Sequence, residues 1–263
     1  MLFQISAARR LAESWGLPIV ANMTFTREFI GGSTKLFVQE LLQELNIKCA
    51  DEKTLFHGAE ILKARVAGIP IMSDWNARRL LEEIAPRDRA LITGYFQNWT
   101  LFREDIIRLL PTLRNLLHQR VGESAQGNRG AIHLRLGDYS SLQSIYGDLS
   151  DTYISASLEK LAPGPPAATP PIRVFSNDLE LAAKRLRDFP YEFEFVAEPD
   201  PVAALVALSH SNWIIGSNST FSWWAAAVGD FAPLSLPTPY LLKRTLNSKI
   251  DLNSPNVLPV SRT

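Results

Sequence analysis

The sequence is poor in the residues that staple or metallate a small protein. It has a single cysteine, Cys49, in 263 residues, so no disulfide can form within the chain. Four histidines, His57, His118, His133 and His210, are too scattered for a zinc cluster with that one thiol. No Asp-x-Asp occurs, which leaves a divalent cation without its usual carboxylate pair. There is also no G-x-x-x-x-G-K-[ST] and no G-x-G-x-x-G, so phosphoryl transfer and dinucleotide binding by those loops lack support. Neither sign of charge is in excess: Lys+Arg and Asp+Glu number 27 each. Without a basic field, nucleic acid is not an expected partner, and an anionic ligand must be held by a local site. No apolar run reaches the ~18 residues of a membrane span. The stretch from Trp213 to Leu236 is interrupted by Ser217, Asn218, Ser219, Ser222 and Asp230. No basic-then-apolar start resembles a signal peptide. The expectation is a cytoplasmic protein, peripheral to the inner face of the membrane if its acceptor resides there.

What is present is an α/β pattern. The spacing of Phe3, Ala7, Leu11 and Trp15 predicts a helix stopped at Gly16, followed by a strand over Leu17–Ala21. Helical patterning recurs at Thr34–Leu45 and Ala77–Ile84, with loops around Gly31-Gly32 and Asp51–Lys53. Ala90–Tyr95 reads as a strand and Trp99–Leu110 as a helix closed by Pro111. The polar segment Gly122–Asn128 is the expected hinge, dividing the chain into 1–125 and 126–263.

Strands and helices then alternate: strand Ala131–Leu136, helix Asp151–Leu161 capped by Ser150, strand Ile172–Phe175, helix Asp178–Asp188 and strand Glu192–Val196. Asp200-Pro201 opens a helix to Ser209; strand Trp213–Ile215, helix Ser219–Val228 and strand Pro233–Leu236 follow. Such alternation implies parallel sheets with helices on both faces, here in two Rossmann-like lobes.

Four segments carry polar chemistry. In Ile132-His133-Leu134-Arg135-Leu136-Gly137-Asp138-Tyr139 a strand places His133 and Arg135 on one face and ends in a glycine turn, where ligands of open α/β sheets bind. Arg135 suits a diphosphate, since guanidinium combines charge with forked hydrogen bonds. An Arg135–Asp138 ion pair beside a core histidine is the alternative. In Gly216-Ser217-Asn218-Ser219-Thr220-Phe221 a strand runs through small polar residues into a helix whose unpaired N–H groups favour an anion. Simple capping by Ser217 or Ser219, with Trp223 and Trp224 in the core, is the other reading. In Phe175-Ser176-Asn177-Asp178, Asn177 or Asp178 could pair with a guanine edge, or Ser176 or Asn177 could cap the next helix. Gly94-Tyr95-Phe96-Gln97-Asn98-Trp99 offers aromatic faces and amides for a sugar ring, or is an ordinary packed turn.

Together these segments resemble glycosyltransferase family 11, the α-1,2-fucosyltransferases. The family's H-x-R-x-G-D-Y signature is matched by His133, Arg135, Gly137, Asp138 and Tyr139, and its S-T-F-S-W-W-A-A segment by Ser219 to Ala226. Gly94-Tyr95-Phe96-Gln97 is similar to its G-Y-F-Q turn, Phe175–Asp178 to its base-side segment, and Leu149–Tyr153 to the stretch after the first signature. Order and rough spacing agree across nearly the whole chain. The resemblance implies a two-lobed GT-B-type fold with GDP-fucose as donor, a glycan hydroxyl (O-2 of a galactoside) as acceptor, inversion at the anomeric carbon, and no metal or other cofactor. It further implies catalytic roles for Arg135, His133 and Asp138. Donor binding would fall to Ser217, Asn218, Ser219, Thr220, Phe221, Asn177 and Asp178, and acceptor contacts to Tyr95 and Gln97. Arg135 would neutralise the β-phosphate of the leaving GDP, with His133 or Asp138 as candidate proton sinks. Family members usually begin with a strand and a G-G-L-G-N-Q loop before an M-F-Q-Y-A-type helix. Met1 to Ala8 resembles that helix without the strand and loop, so a shortened or degenerate member is expected. The alternatives are a catalytically impaired nucleotide- or glycan-binding relative and a transferase with another sugar nucleotide.

Overall fold

The computed structural model describes residues 1–21, 32–49, 57–121, 129–137, 142–147 and 149–262. The chain divides into two compact units, Met1–Leu116 and Leu117–Thr263. The segment 122–128, expected to be a hinge, lies outside the described residues.

The first unit opens with α1 (Leu2–Trp15), which buries Phe3, Ala7, Leu11 and Trp15 along one stripe, with Ile5 buried off it, and closes at Gly16 as its sequence pattern requires. Two short parallel pairs follow: β1 (Val20–Ala21) with β2 (Lys48–Cys49), and β3 (Ile71–Met72) with β4 (Leu91–Ile92). Around them lie α2 (Gly32–Glu44), α3 (His57–Val66) and α4 (Ala77–Glu82). The next helix, α5 (Trp99–Val121), corrects the expectation that Pro111 ends it. Pro111 sits on the exposed side, and Ile107, whose carbonyl it cannot bond, is 47% exposed, so that carbonyl can turn to water. The buried stripe Phe102, Ile106, Leu109, Leu110, Leu113, Leu116 and Leu117 continues through the proline. At ~1.5–3 kcal/mol per buried large side chain, that stripe outweighs the ~3 kcal/mol that an interior proline costs.

The second unit is a six-stranded sheet in which every pair is parallel: β5 (Ala131–Leu134), β6 (Ile172–Ser176), β7 (Phe193–Phe195), β8 (Ile214–Gly216), β9 (Leu234–Thr238) and β10 (Val257–Ser261). The order across the sheet is β7-β6-β5-β8-β9-β10, so within this unit the strands run 3-2-1-4-5-6. Even-numbered residues of β5 and β6 (Ile132, Leu134, Ile172, Val174) pack with α7 (Asp151–Leu161) and α8 (Leu179–Leu186) in one apolar cluster. On the opposite face His133 meets α10 (Thr220–Val228), which packs against α9 (Pro201–Ser209). Helices therefore cover both faces, as the alternation implied.

Caps explain why these helices start where they do. Ser150 accepts from Tyr153 N–H, Asp178 from Leu181 N–H, Asp200 from Val202 N–H and Ser219 from Phe221 N–H. α8 is thus capped by Asp178, not by Ser176 or Asn177: Asp178 has extended backbone and its carboxylate reaches the amide three residues on. The last strand, β10, has no alternation to betray it and carries Pro259. Its place at the end of the strand order leaves one side unpaired, and a proline is tolerated there. A short α6 (Gln143–Tyr146) and α11 (Arg244–Asn247) complete the described elements that bear on the site.

Candidate active site at the carboxyl edge of the six-stranded sheet

The strand order reverses between β5 and β8: the chain leaves β5 toward β6 and β7, then returns to β5's other side. In open α/β sheets the crevice beyond the carboxyl ends of two such strands is the ligand site. Arg135 follows β5 there, and Ser217 to Thr220 follow β8.

Ser217 joins the two segments. Its side chain is fully buried; Oγ donates to the His133 carbonyl and accepts from Arg135 N–H, both at 2.8 Å, while Ser217 N–H also donates to the His133 carbonyl at 3.0 Å. Its hydroxyl is thereby committed to holding the backbone under Arg135. Asn218, also buried, donates from Nδ2 to the Tyr146 carbonyl at 2.8 Å. Ser219 caps α10, and Thr220 and Phe221, in its first turn, are half-buried. The half-buried Arg135 and this positive helix end lie on one edge of adjacent paired strands.

His133 is buried within that arrangement. Its Nδ1 lies 2.7 Å from Ser222 Oγ and its ring centroid 5.1 Å from that of Phe221. Burial first, and the positive charge of Arg135 second, hold its pKa down to about 3, so the ring is neutral at pH 7. Gly216 allows α10 to come this close: a Cβ there would stand 2.8 Å from Ser222 Cβ and 3.0 Å from Leu236 Cδ2. On the third strand of the crevice Asn177 is exposed and its Oδ1 accepts from Leu136 N–H at 2.9 Å, fixing the turn after Arg135. Asp138 and Tyr139, expected in the same turn, lie outside the described residues.

Three residues of this edge were given no role by the sequence. The Tyr153 hydroxyl, fully buried on α7, lies 2.7 Å from the Gly216 carbonyl and 3.0 Å from that of Ser235, bridging the adjacent strands β8 and β9. Burial pushes its pKa upward. Ser222, which entered the sequence reading only as a break in an apolar stretch and as part of a matched segment, is the partner of His133. Arg262, 6% exposed just past β10, donates to the carbonyls of Tyr146 and Tyr240, so the Tyr146 carbonyl accepts from both Arg262 and Asn218. A buried cation this late in the chain follows no local pattern; an arginine among apolar residues was its only signal. Trp223 and Trp224 are core, packed edge to face at 5.1 Å, and Trp223 Nε1 donates to the Leu252 carbonyl.

The aromatic turn belongs to the first unit. Asp74 accepts from Tyr95 N–H at 2.9 Å and Phe96 N–H at 2.5 Å. Phe96 is buried edge to face against Phe102, whereas Tyr95 is exposed and Gln97 half-buried. Gln4 of α1 donates from Nε2 to the Gly94 carbonyl at 2.7 Å, bringing together two segments singled out separately in the sequence. Among the described residues no three His, Cys, Asp or Glu side chains gather as a metal site, and no helix is long and apolar enough to cross a membrane.

The family model described as Glycosyl transferase family 11 matches residues 93–233, more than half of the chain. This chain is a member of glycosyl transferase family 11. The match begins just before the Gly94 turn and runs through β5, β6, β8 and α10, so it takes in both sides of the strand-order reversal. Membership assigns it glycosyl transfer, with a sugar nucleotide and a glycan as substrates. Comparison with curated proteins and with solved structures found no match.

Proposed function

We propose that this family 11 protein is an inverting, metal-independent fucosyltransferase that moves L-fucose from GDP-fucose to a glycan hydroxyl, O-2 of a galactoside. In this reading the second unit is the donor-binding lobe and the first the acceptor-side lobe of a GT-B-type enzyme. The observation that carries it is the pairing of Arg135 with the entrance of α10 across the strand-order reversal, through Ser217.

The diphosphate of the donor lies between Arg135 and the N–H groups of the first turn of α10. The acceptor oxygen forms a bond to the anomeric carbon as the bond from that carbon to the β-phosphate oxygen breaks. The electron pair stays with GDP, and the acceptor proton goes to a base or to water. Charge grows on the phosphate as the bond breaks, so a preorganised cation and helix dipole act most in the transition state. Ser217 and Asn218 position this edge, and Asn177 is the contact proposed for the guanine. Asp178 keeps its carboxylate on the helix cap. His133, neutral and bonded to Ser222, is a positioning residue, too weak a base for the proton; Asp138 is the carboxylate left for that role.

The test is a thermal-shift panel of GDP, UDP and ADP on the wild type and Arg135→Ala. GDP at 100 times its Kd should stabilise the wild type by ~2.7 kcal/mol, with the shift abolished in the variant. Turnover of GDP-fucose on mixed galactosides should fall ~10²–10³-fold in Arg135→Ala. A shift with UDP or ADP alone would overturn the donor assignment. GDP binding without transfer would make the chain a binding relative.

A further inference from the structure

β3 and β4 run parallel in register, Ile71 beside Leu91 and Met72 beside Ile92, so the turns that follow them leave the same edge. Both turns are locked. Asn76 Oδ1 accepts from Ser73 N–H at 2.7 Å and its Nδ2 donates to the Ile71 carbonyl at 2.8 Å, fixing the first. Asp74, within that turn, clamps the second through Tyr95 and Phe96 N–H. The second turn is strained: Phe96 has φ 55, in the left-handed region, and Gly94 has φ 149. A Cβ on Gly94 would meet Asp74 Oδ2 at 2.5 Å. Non-glycine residues held at such a φ cluster at binding and active sites, which directs attention to what this turn presents.

What the two locked turns hold outward is a pair of large aromatic rings. Trp75 is 62% exposed and Tyr95 75%. Phe96 is turned inward to 1% exposure, which shows that apolar burial was available here and was taken by the neighbour instead. The residues interleaved with the rings, Ser73, Asp74, Asn76 and Gln97, all carry hydrogen-bonding groups. An apolar protein surface would be a poor match for that mixture. A pyranose fits it, having one face of C–H groups and a rim of hydroxyls.

We infer that Trp75 and Tyr95 form a platform on which a pyranose ring of the acceptor glycan stacks, with Asp74 as the residue that positions both. The inference rests on the transferase reading and adds to it a residue, Trp75, that lies ahead of the family match. Each ring is more than half exposed, and Trp75→Phe, which keeps a ring in place, separates loss of stacking from loss of fold.

The experiment compares wild type, Trp75→Ala, Trp75→Phe and Tyr95→Ala in three measurements. These are binding of labelled protein to an array of β-galactoside-terminated oligosaccharides, acceptor KM and kcat in transfer from GDP-fucose, and the GDP-induced thermal shift. Trp75→Ala and Tyr95→Ala should each weaken array binding and raise acceptor KM at least ~10-fold, about the effect of one lost stacking contact of ~1.4 kcal/mol. Trp75→Phe should recover most of both, and the GDP shift should be the same in all four proteins. Array binding and KM within twofold of wild type in both alanine variants would overturn the platform, as would a wild type that binds no glycan on the array. Self-association of the wild type lost in Trp75→Ala, with glycan binding intact, would assign the rings to a second copy and equally overturn it. Failure of the donor reading shows separately, as absence of the GDP shift, while the array still decides the platform.

Discussion

The carboxyl edges of the six-stranded sheet and of the β3-β4 pair are built from opposite materials. In the six-stranded sheet the edge rests on buried polar residues: Ser217, Asn218, Ser219, His133 and Arg262 are each under a tenth exposed, and they bond to backbone atoms and to Ser222. At the edge of β3 and β4 the turns are clamped as firmly, yet they display Trp75 and Tyr95 to solvent. The contrast follows from the ligands proposed for each edge. A diphosphate is recognised by charge and N–H groups whose strength depends on fixed geometry and restricted water, so the scaffold beneath must be stiff and internally satisfied. A sugar ring is recognised largely by area, which has to be left uncovered until it binds.

The comparison makes its own predictions: substitutions beneath the donor edge should cost stability, and those on the aromatic edge should not. The largest effect is expected for Gly216→Ala. The added methyl would meet Ser222 Cβ at 2.8 Å and push α10 off the sheet. Urea unfolding should show a loss of ~1–3 kcal/mol, with weaker GDP binding. An unchanged midpoint would mean that the edge is softer than its packing indicates.

The next effect concerns His133, whose native pKa of about 3 lies below its unfolded value of ~6.5. Its neutral form is preferred in the fold, so the stabilisation is full above about pH 6.5 and is lost progressively as pH falls toward 3. Between pH 7 and pH 5 the wild type should lose ~2 kcal/mol more than His133→Gln, in which that titration is removed. Parallel pH dependence of the two proteins in urea titrations would show that the ring is not held neutral. The smallest effect beneath the donor edge is that of Tyr153→Phe. It deletes the hydroxyl between the Gly216 and Ser235 carbonyls and should cost ~1 kcal/mol, measured the same way. A larger loss there than in Gly216→Ala would relocate the critical support from the helix contact to the bridge between β8 and β9.

Much of the donor edge was legible in the sequence because it is made of local devices. A strand that ends in a glycine turn, and a strand that runs through Ser217, Asn218 and Ser219 into an apolar helix, are patterns of a few consecutive residues. So are the caps at Ser150 and Asp200 and the stop at Gly16. The readings that required correction depended on residues far apart. Pro111 was a sufficient reason to end a helix until the buried stripe on both sides of it was seen to continue. Asp178, rather than Ser176 or Asn177, became the cap because Asn177 was drawn away to Leu136 on the neighbouring strand's turn.

By itself, then, the order of residues determined the α/β alternation, the family, and the positions of Arg135 and Ser219 as candidates, since periodicity, capping and short motifs are properties of neighbours along the chain. Only the tertiary structure decided that β5 and β8 are adjacent and that the strand order reverses between them. It also decided that Ser217, 82 residues from Arg135, is the residue that holds it. Strand order and long-range hydrogen bonds arise from packing six strands and their helices against each other at once, and no segment of the chain carries that information alone.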